Sequence, residues 1–227
     1  MSDEAMLEGH LTKIRTVLEK ESAPWGRMPK IIAVTKTAPV ERILPLSNMG
    51  IRDVAENRVQ VLQEKLPFLE GKFQFHMIGR LQTNKVKYII REVCLIHSLD
   101  RPELAQEIDR QAGKNGLVMP VLLQVNVSGE EQKAGVSPEE LPSFLTFCEA
   151  LPNISVQGLM TILPLGAEDD RLFAWFTETR HCLERLRDVS RFPERLTELS
   201  MGMSNDYALA ARAGATMVRV GRALFSA

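Results

Sequence analysis

Ile31-Ile32-Ala33-Val34-Thr35-Lys36-Thr37-Ala38-Pro39 is the stretch on which the reading of the fold turns. Its apolar run makes a buried strand, and Pro39, with no amide hydrogen and a fixed φ, stops that strand from continuing. Lys36 therefore sits just past the end of a buried strand. Lysine is rarely fully buried, so at such a place it is either a surface group or an amine held for its chemistry. Beyond Pro39, the residues Val40, Ile43 and Leu44 read as a helix with proline in its first turn, closing at Asn48-Met49-Gly50. The segment is a β-to-α step.

The step recurs along the whole chain. Before it, Leu7, Leu11, Ile14, Val17 and Leu18 recur at helical spacing and predict an amphipathic helix over 4–21. After it, Asp53 to Asn57 is a short strand running into a helix through Val59, Leu62 and Leu66. Phe73 to Ile78 is a strand followed by a basic helix with Lys85, Lys87 and Arg91. Val93 to Ser98 leads through Asp100, read as an N-cap, into a helix reaching Gly113. Val121 to Val127 is bounded by Pro120 and Ser128-Gly129, and the capping-box pattern Ser137-Pro138-Glu139-Glu140 opens a helix to Leu151. Strands are expected over 156–162, 198–201 and 216–220, and helices over 169–189 and 205–213.

Eight short strands, each followed by a helical pattern, imply a parallel sheet covered by helices. An open doubly wound sheet and a closed (β/α)8 barrel both satisfy the alternation; the count of eight, the even spacing and the length of 227 residues favour the barrel. No linker or composition shift divides the chain, so residues 1–227 read as one α/β domain, a (β/α)8 TIM barrel with an extra N-terminal helix.

Composition narrows the function. The formal charge of -1 supplies no global field for nucleic acid or an anionic membrane, so any phosphate must be caught locally. The three cysteines, Cys94, Cys148 and Cys182, have no metal or disulfide spacing and read as core thiols of a reducing compartment. The acidic, polar N-terminus and the lack of a long apolar run give neither a signal peptide nor an anchor, so the expectation is a cytoplasmic protein without a metal.

In a barrel the residues after each strand gather at one face. Here they include Lys36, Glu56, Asn57, His76, Gly79, Arg80, Asn126, Thr161, Ser200, Gly202, Ser204, Arg219, Gly221 and Arg222. Hydroxyls, glycines and a helix start after the last two strands suit a phosphate. A phosphate pocket facing one lysine suggests a phosphorylated aldehyde bound as an imine, which pyridoxal phosphate and a sugar-phosphate aldolase substrate both satisfy.

The blocks Ala33-Val34-Thr35-Lys36-Thr37, Glu56-Asn57-Arg58-Val59-Gln60, His76 to Lys85, Gln124-Val125-Asn126-Val127, Gln132-Lys133-Ala134-Gly135, Gly158-Leu159-Met160-Thr161, Ser200 to Ser204 and Val218-Arg219-Val220-Gly221 run in order from residue 31 to 225. Together they resemble the pyridoxal phosphate homeostasis proteins, single barrels similar to the N-terminal domain of alanine racemase. The resemblance implies that Lys36 forms the Schiff base with pyridoxal 5'-phosphate (PLP). It implies that Ser204, the amides of Gly221 and Arg222, and Ser200 hold the phosphate, that Arg219 faces the pyridine nitrogen, and that Asn57, His76 and Met201 surround the ring. Family members often carry a small residue where Arg222 stands, which leaves its amide available and its side chain without an assigned role.

An arginine at the pyridine nitrogen discourages protonation there and weakens the ring as an electron sink. Racemases of this fold add a tyrosine base from a further β-domain; this chain has only Tyr88 and Tyr207, both on predicted helices. The expectation is a monomeric PLP carrier or buffer without turnover, delivering cofactor to apoenzymes, with Lys85, Lys87 and Lys133 assisting transfer or docking. A PLP-dependent amino-acid racemase and a Schiff-base sugar-phosphate aldolase are the alternatives.

Overall fold

The computed structural model describes residues 3–130 and 132–226. Eight parallel strands close on one another in chain order, β1 (Lys30–Val34), β2 (Asp53–Glu56), β3 (Gln74–Met77), β4 (Val93–Leu99), β5 (Met119–Gln124), β6 (Ile154–Met160), β7 (Glu198–Ser200) and β8 (Met217–Val220). The ring is sealed by β1 pairing with β8, with Ile32 opposite Arg219 and Ala33 opposite Val220. Parallel strands need crossovers, and these are supplied by α2 (Val40–Ile43), α3 (Val59–Leu69), α4 (Pro102–Lys114), α5 (Leu141–Glu149), α6 (Asp169–Val189) and α7 (Tyr207–Arg212). The first helix, α1 (Asp3–Ser22), buries Leu7, Leu11, Ile14 and Leu18 and packs against α7 and α8 (Arg222–Phe225).

Alternation along each strand divides the core in two. A small cluster inside the barrel contains Ile32, Ala55, Leu95, Leu122, Met160 and Met217. The large cluster, including Ile31, Val54, Phe75, Ile96, Leu123 and Val218, fills the space between sheet and helices. Because both faces of the strands are buried, the strands read as nearly continuous apolar runs, and the few polar residues within them stand out.

Several local expectations are corrected. The basic helix expected after β3 is a 3-10 helix, Thr83–Tyr88, that stops before Arg91. Val86 within it and Ile89 and Ile90 just after it are buried, so a short, tight helix is pinned on both sides of its end just ahead of β4. Asp100 does not cap α4: Arg101 holds the N-cap position without a side-chain bond, and Asp100 accepts from its guanidinium at 2.5 Å. The Ser137 hydroxyl does donate to Glu140 Oε2 at 2.9 Å, but the pair closes a turn and α5 begins only at Leu141, where Pro142 starts the helix. Pro120 lies inside β5 instead of bounding it, near the strand start where a missing amide hydrogen is tolerated. The strand expected over 121–127 ends at Gln124, with only an isolated bridge from Val125 to Val136 beyond it. Among the described residues no helix is long and apolar enough to cross a membrane.

Outside the barrel mouth, a buried ion pair ties β1, β2 and α3 together. Lys65 Nζ donates to Glu56 Oε1 at 2.8 Å and to the Thr35 carbonyl at 2.5 Å, while the Thr35 hydroxyl donates to the same carboxylate oxygen at 2.6 Å. The Glu56 side chain is fully buried and that of Lys65 is 11% exposed. Glu56 Oε2 has no hydrogen-bond partner among the described residues. Removing one member of a buried pair leaves an uncompensated charge. Lys65→Met is expected to lower stability by about 3–5 kcal/mol in urea unfolding, and Lys65→Met/Glu56→Gln to recover most of that loss.

Gly158 is the tightest strand position: its φ is +151, and an added Cβ would lie 1.9 Å from the Glu198 carbonyl oxygen of β7. Gly158→Ala is expected to destabilise the barrel by about 3 kcal/mol or more, read as a lowered denaturation midpoint, since the atom it meets is backbone and cannot swing away.

Candidate functional site

The strands deliver most of the expected residues to one end of the barrel. Lys36 follows β1 by two residues and is exposed, and among the described residues its ammonium makes no hydrogen bond or ion pair. The two residues before it are held firmly: Val34 belongs to β1, and Thr35 is buried and clamped by Lys65 and Glu56. A fixed backbone thus presents a mobile amine. Glu56, by contrast, turns outward into the Lys65 pair and takes no place at the mouth. Asn57, the next residue, is exposed, and its carbonyl packs so closely on Gly79 that no side chain could stand there.

Arg219 is the most constrained group at this end. It is 3% exposed, and its Nη1 donates to the Ser200 carbonyl at 2.7 Å and to the Ser200 hydroxyl at 2.6 Å, while Nη2 donates to the Thr161 carbonyl at 2.8 Å. These acceptors lie at the ends of β6 and β7, so the guanidinium ties three neighbouring strands at the mouth. Burial pushes its pKa down to about 10, against the favourable field of the Asp206 carboxylate, which leaves it charged at neutral pH. Asp206 is itself 7% exposed, and its burial raises the carboxyl above the usual range. The guanidinium retains N–H groups beyond the three it commits to these oxygens.

Beside it, Ser204 and the start of α8 form a cradle. The Ser204 hydroxyl accepts from the Gly221 amide at 3.2 Å and the Ala223 amide at 3.0 Å, and the Arg222 amide between them has no acceptor among the described residues. Gly202 has φ +87, and an added Cβ would fall 2.5 Å from Ala210 Cβ, so the loop can pass α7 only as glycine. The Arg222 side chain leans away to Asn205 Oδ1 at 3.4 Å and stays exposed. An unpaired amide, a hydroxyl and a buried cation at the ends of β7 and β8, with an exposed amine just past the neighbouring β1, fit a small ligand carrying both a phosphate and an aldehyde.

His76 and Met201 are placed differently. Met201 is fully buried. His76 is 2% exposed and its ring points into the barrel, with Nε2 at 2.9 Å from Asp53 Oδ1 and Nδ1 at 2.9 Å from His97 Nε2. His97 in turn places Nδ1 at 2.9 Å from the Ser200 hydroxyl. His97, fully buried, was not singled out by the sequence; the available signal was a polar residue sharing strand parity with Leu95 in an apolar run. Among the described residues no cluster of His, Cys, Asp or Glu converges to hold a metal. The thiols offer no nucleophile, since burial pushes Cys94 and Cys182 up to about 11 and Cys148 up to about 12.

Lys85 lines a crevice of about 480 Å³ beside the mouth with Asn57, Arg58, Arg80 and Arg101. Lys85 and Lys87 also flank the Tyr88 ring, at 5.6 and 4.8 Å from its centroid. Lys133 lies in a separate crevice after β5 and pairs with Glu130 at 3.6 Å.

Comparisons with known proteins give the family. The family model for the alanine racemase N-terminal domain matches residues 10–227. The pyridoxal phosphate homeostasis protein of Aquifex aeolicus is 44% identical over 219 residues, covering 95% of each chain. That of Synechocystis is 40% identical, covering 86% of this chain and 90% of its own. Among solved structures, PipY of Synechococcus elongatus with PLP bound superposes with a TM-score of 0.86 at 34% identity, covering 97% of this chain and 100% of PipY. Alanine racemase from Corynebacterium glutamicum shares the fold at 16% identity, with a TM-score of 0.70 over 97% of this chain and 60% of its own. The chain belongs to the alanine racemase N-terminal domain family and, within it, to the pyridoxal phosphate homeostasis proteins.

Proposed function

We propose that this protein binds pyridoxal 5'-phosphate covalently through Lys36 and holds it for intracellular distribution, without turnover of its own. The observation that carries the reading is the pairing, at one barrel mouth, of the unpartnered Lys36 amine with the buried Arg219 and the Ser204–Gly221–Arg222 cradle. PLP supplies an aldehyde, which condenses with a primary amine with release of water, and a ring that can draw electrons when its nitrogen is protonated.

Each residue then has a task. Lys36 donates the amine, and the Lys65 clamp on Thr35 fixes its backbone. Ser204 and the Gly221 and Arg222 amides take the phosphate, with Ser200 alongside. Arg219 offers its remaining N–H groups to the ring nitrogen, and its permanent charge keeps a proton off that nitrogen, which disfavours carbanion chemistry. Tyr207 lies on α7 and Tyr88 in the 3-10 turn, 44% exposed and flanked by lysines, so neither is arranged as a second base at Lys36. Binding without catalysis follows, with the protein acting as a monomeric carrier or buffer that protects the aldehyde from other amines. Lys85, in its cationic crevice beside the mouth, and Lys133 assist release to apoenzymes.

Borohydride reduction of the PLP-loaded protein followed by peptide mass spectrometry is expected to find one phosphopyridoxyl group, on Lys36, and none in Lys36→Ala. An adduct on another lysine overturns the assignment. Incubation with alanine in deuterium oxide is expected to leave the α-proton in place; exchange would reinstate the racemase reading. Lys85→Ala and Lys133→Ala are expected to slow transfer of PLP to an apoenzyme severalfold at unchanged loading, measured as the rate at which the recipient gains activity.

A further inference from the structure

A line of hydrogen-bonded side chains runs through the barrel from the cofactor mouth toward the opposite end. It passes from Arg219 on β8 to Ser200 on β7, His97 on β4, His76 on β3 and Asp53 on β2, with separations of 2.6, 2.9, 2.9 and 2.9 Å. At its far end Asp53 Oδ1 also meets Lys30 Nζ at 3.3 Å, and the Lys30 side chain is 48% exposed. The other five members are each no more than 8% exposed. In a core otherwise filled by Ile32, Ala55, Leu95, Leu122, Met160 and Met217, this is an expensive set of groups to bury unless every one is satisfied.

The end groups give the line a direction. A guanidinium can only donate, and an ionised carboxylate can only accept. The His76 hydrogen bond holds the Asp53 carboxyl below its usual range despite burial. Burial holds His97 well below the usual imidazole range, so it carries a single ring proton. With no added proton, one arrangement satisfies all members: Arg219 donates to Ser200, Ser200 to His97 Nδ1, His97 Nε2 to His76 Nδ1, and His76 Nε2 to Asp53. The reverse order needs a second proton on His76 and leaves the Ser200 hydroxyl without an acceptor in the line. Only in the first order does the Ser200 hydroxyl both accept from Arg219 and give its own proton to a partner in the line.

We propose that His97 is a positioning residue for cofactor retention: by accepting the Ser200 proton and passing the line through His76 to Asp53, it fixes Ser200 and Arg219 in the orientation that meets the ligand. His97 touches no ligand atom in this role; it acts through Ser200. The inference rests on the reading of this mouth as a PLP site, and it gives two histidines and an aspartate buried beside the apolar interior cluster one shared role.

Two measurements test it. Nitrogen NMR of the histidine rings in the cofactor-free protein is expected to find His97 protonated on Nε2 and bare on Nδ1. This needs no variant and no cofactor, and a proton on Nδ1 overturns the proposal. In PLP titrations His97→Leu is expected to weaken retention about tenfold or more, the scale of a lost hydrogen bond to a charged group. Saturating PLP should still be trapped on Lys36 by borohydride in that variant. His97→Gln, which keeps an acceptor for Ser200, should recover part of the loss. A folded His97→Leu protein with unchanged retention overturns the proposal, and should that variant not fold, the ring-nitrogen result decides. If the unaltered protein shows no adduct on Lys36, the reading of the site fails and the positioning role falls with it, while the tautomer still reports the direction of the line.

Discussion

A guanidinium that cannot shed its proton at neutral pH has been taken out of water at the mouth of this barrel, and much of the surrounding structure answers that constraint. Arg219 needs acceptors, and the carbonyls of Thr161 and Ser200 at adjacent strand ends supply them. Those carbonyls are positioned because β6, β7 and β8 are neighbours in a closed sheet. The Ser200 hydroxyl, drawn to the guanidinium, must place its own proton elsewhere, which brings in His97, His76 and finally Asp53. One buried cation thus organises polar groups on or at the ends of six of the eight strands.

At the end of the neighbouring strand β1 the logic is opposite. Lys36 has no partner among the described residues, and the chain secures the backbone around it instead. Lys65 and Glu56 form an ion pair outside the barrel wall, where neither charge can reach a ligand, and use it to hold the Thr35 carbonyl and hydroxyl. Burying that pair carries a desolvation penalty comparable to its attraction, so its value lies less in net stability than in fixing where β1 ends. In the proposed role, a free amine on a rigid base would serve reversible capture of an aldehyde, and a buried permanent cation would keep the captured ring inert.

Much of this was legible in the sequence, for identifiable reasons. Parallel strands buried on both faces leave long apolar runs, and the turns between them are punctuated by Gly, Pro and capping residues, so eight β-to-α steps could be counted and the helix over 169–189 placed at its observed ends. Lys36, Ser204, Arg219 and Gly221 were found because strand ends in such a barrel share one face. Local capping signals were less dependable. The Ser137–Glu140 pattern formed its hydrogen bond without starting a helix, and the segment over 83–88 is a 3-10 helix held by buried Val86 and followed at once by buried Ile89 and Ile90.

What the sequence by itself determined is the alternation of elements, the family, and the set of residues delivered to the mouth, since each depends on spacing along the chain and on strand parity. Only the tertiary structure decided which polar residues face each other. His76 read as a ring neighbour of the ligand, yet both its nitrogens are taken by Asp53 and His97 inside the barrel. Glu56 read as a mouth residue, yet strand parity turned it outward to Lys65. His97 and Ser200 are 103 positions apart and meet at 2.9 Å only because the sheet closes. Closure brings distant strands across one narrow interior, and no periodicity along the chain encodes which side chains touch there.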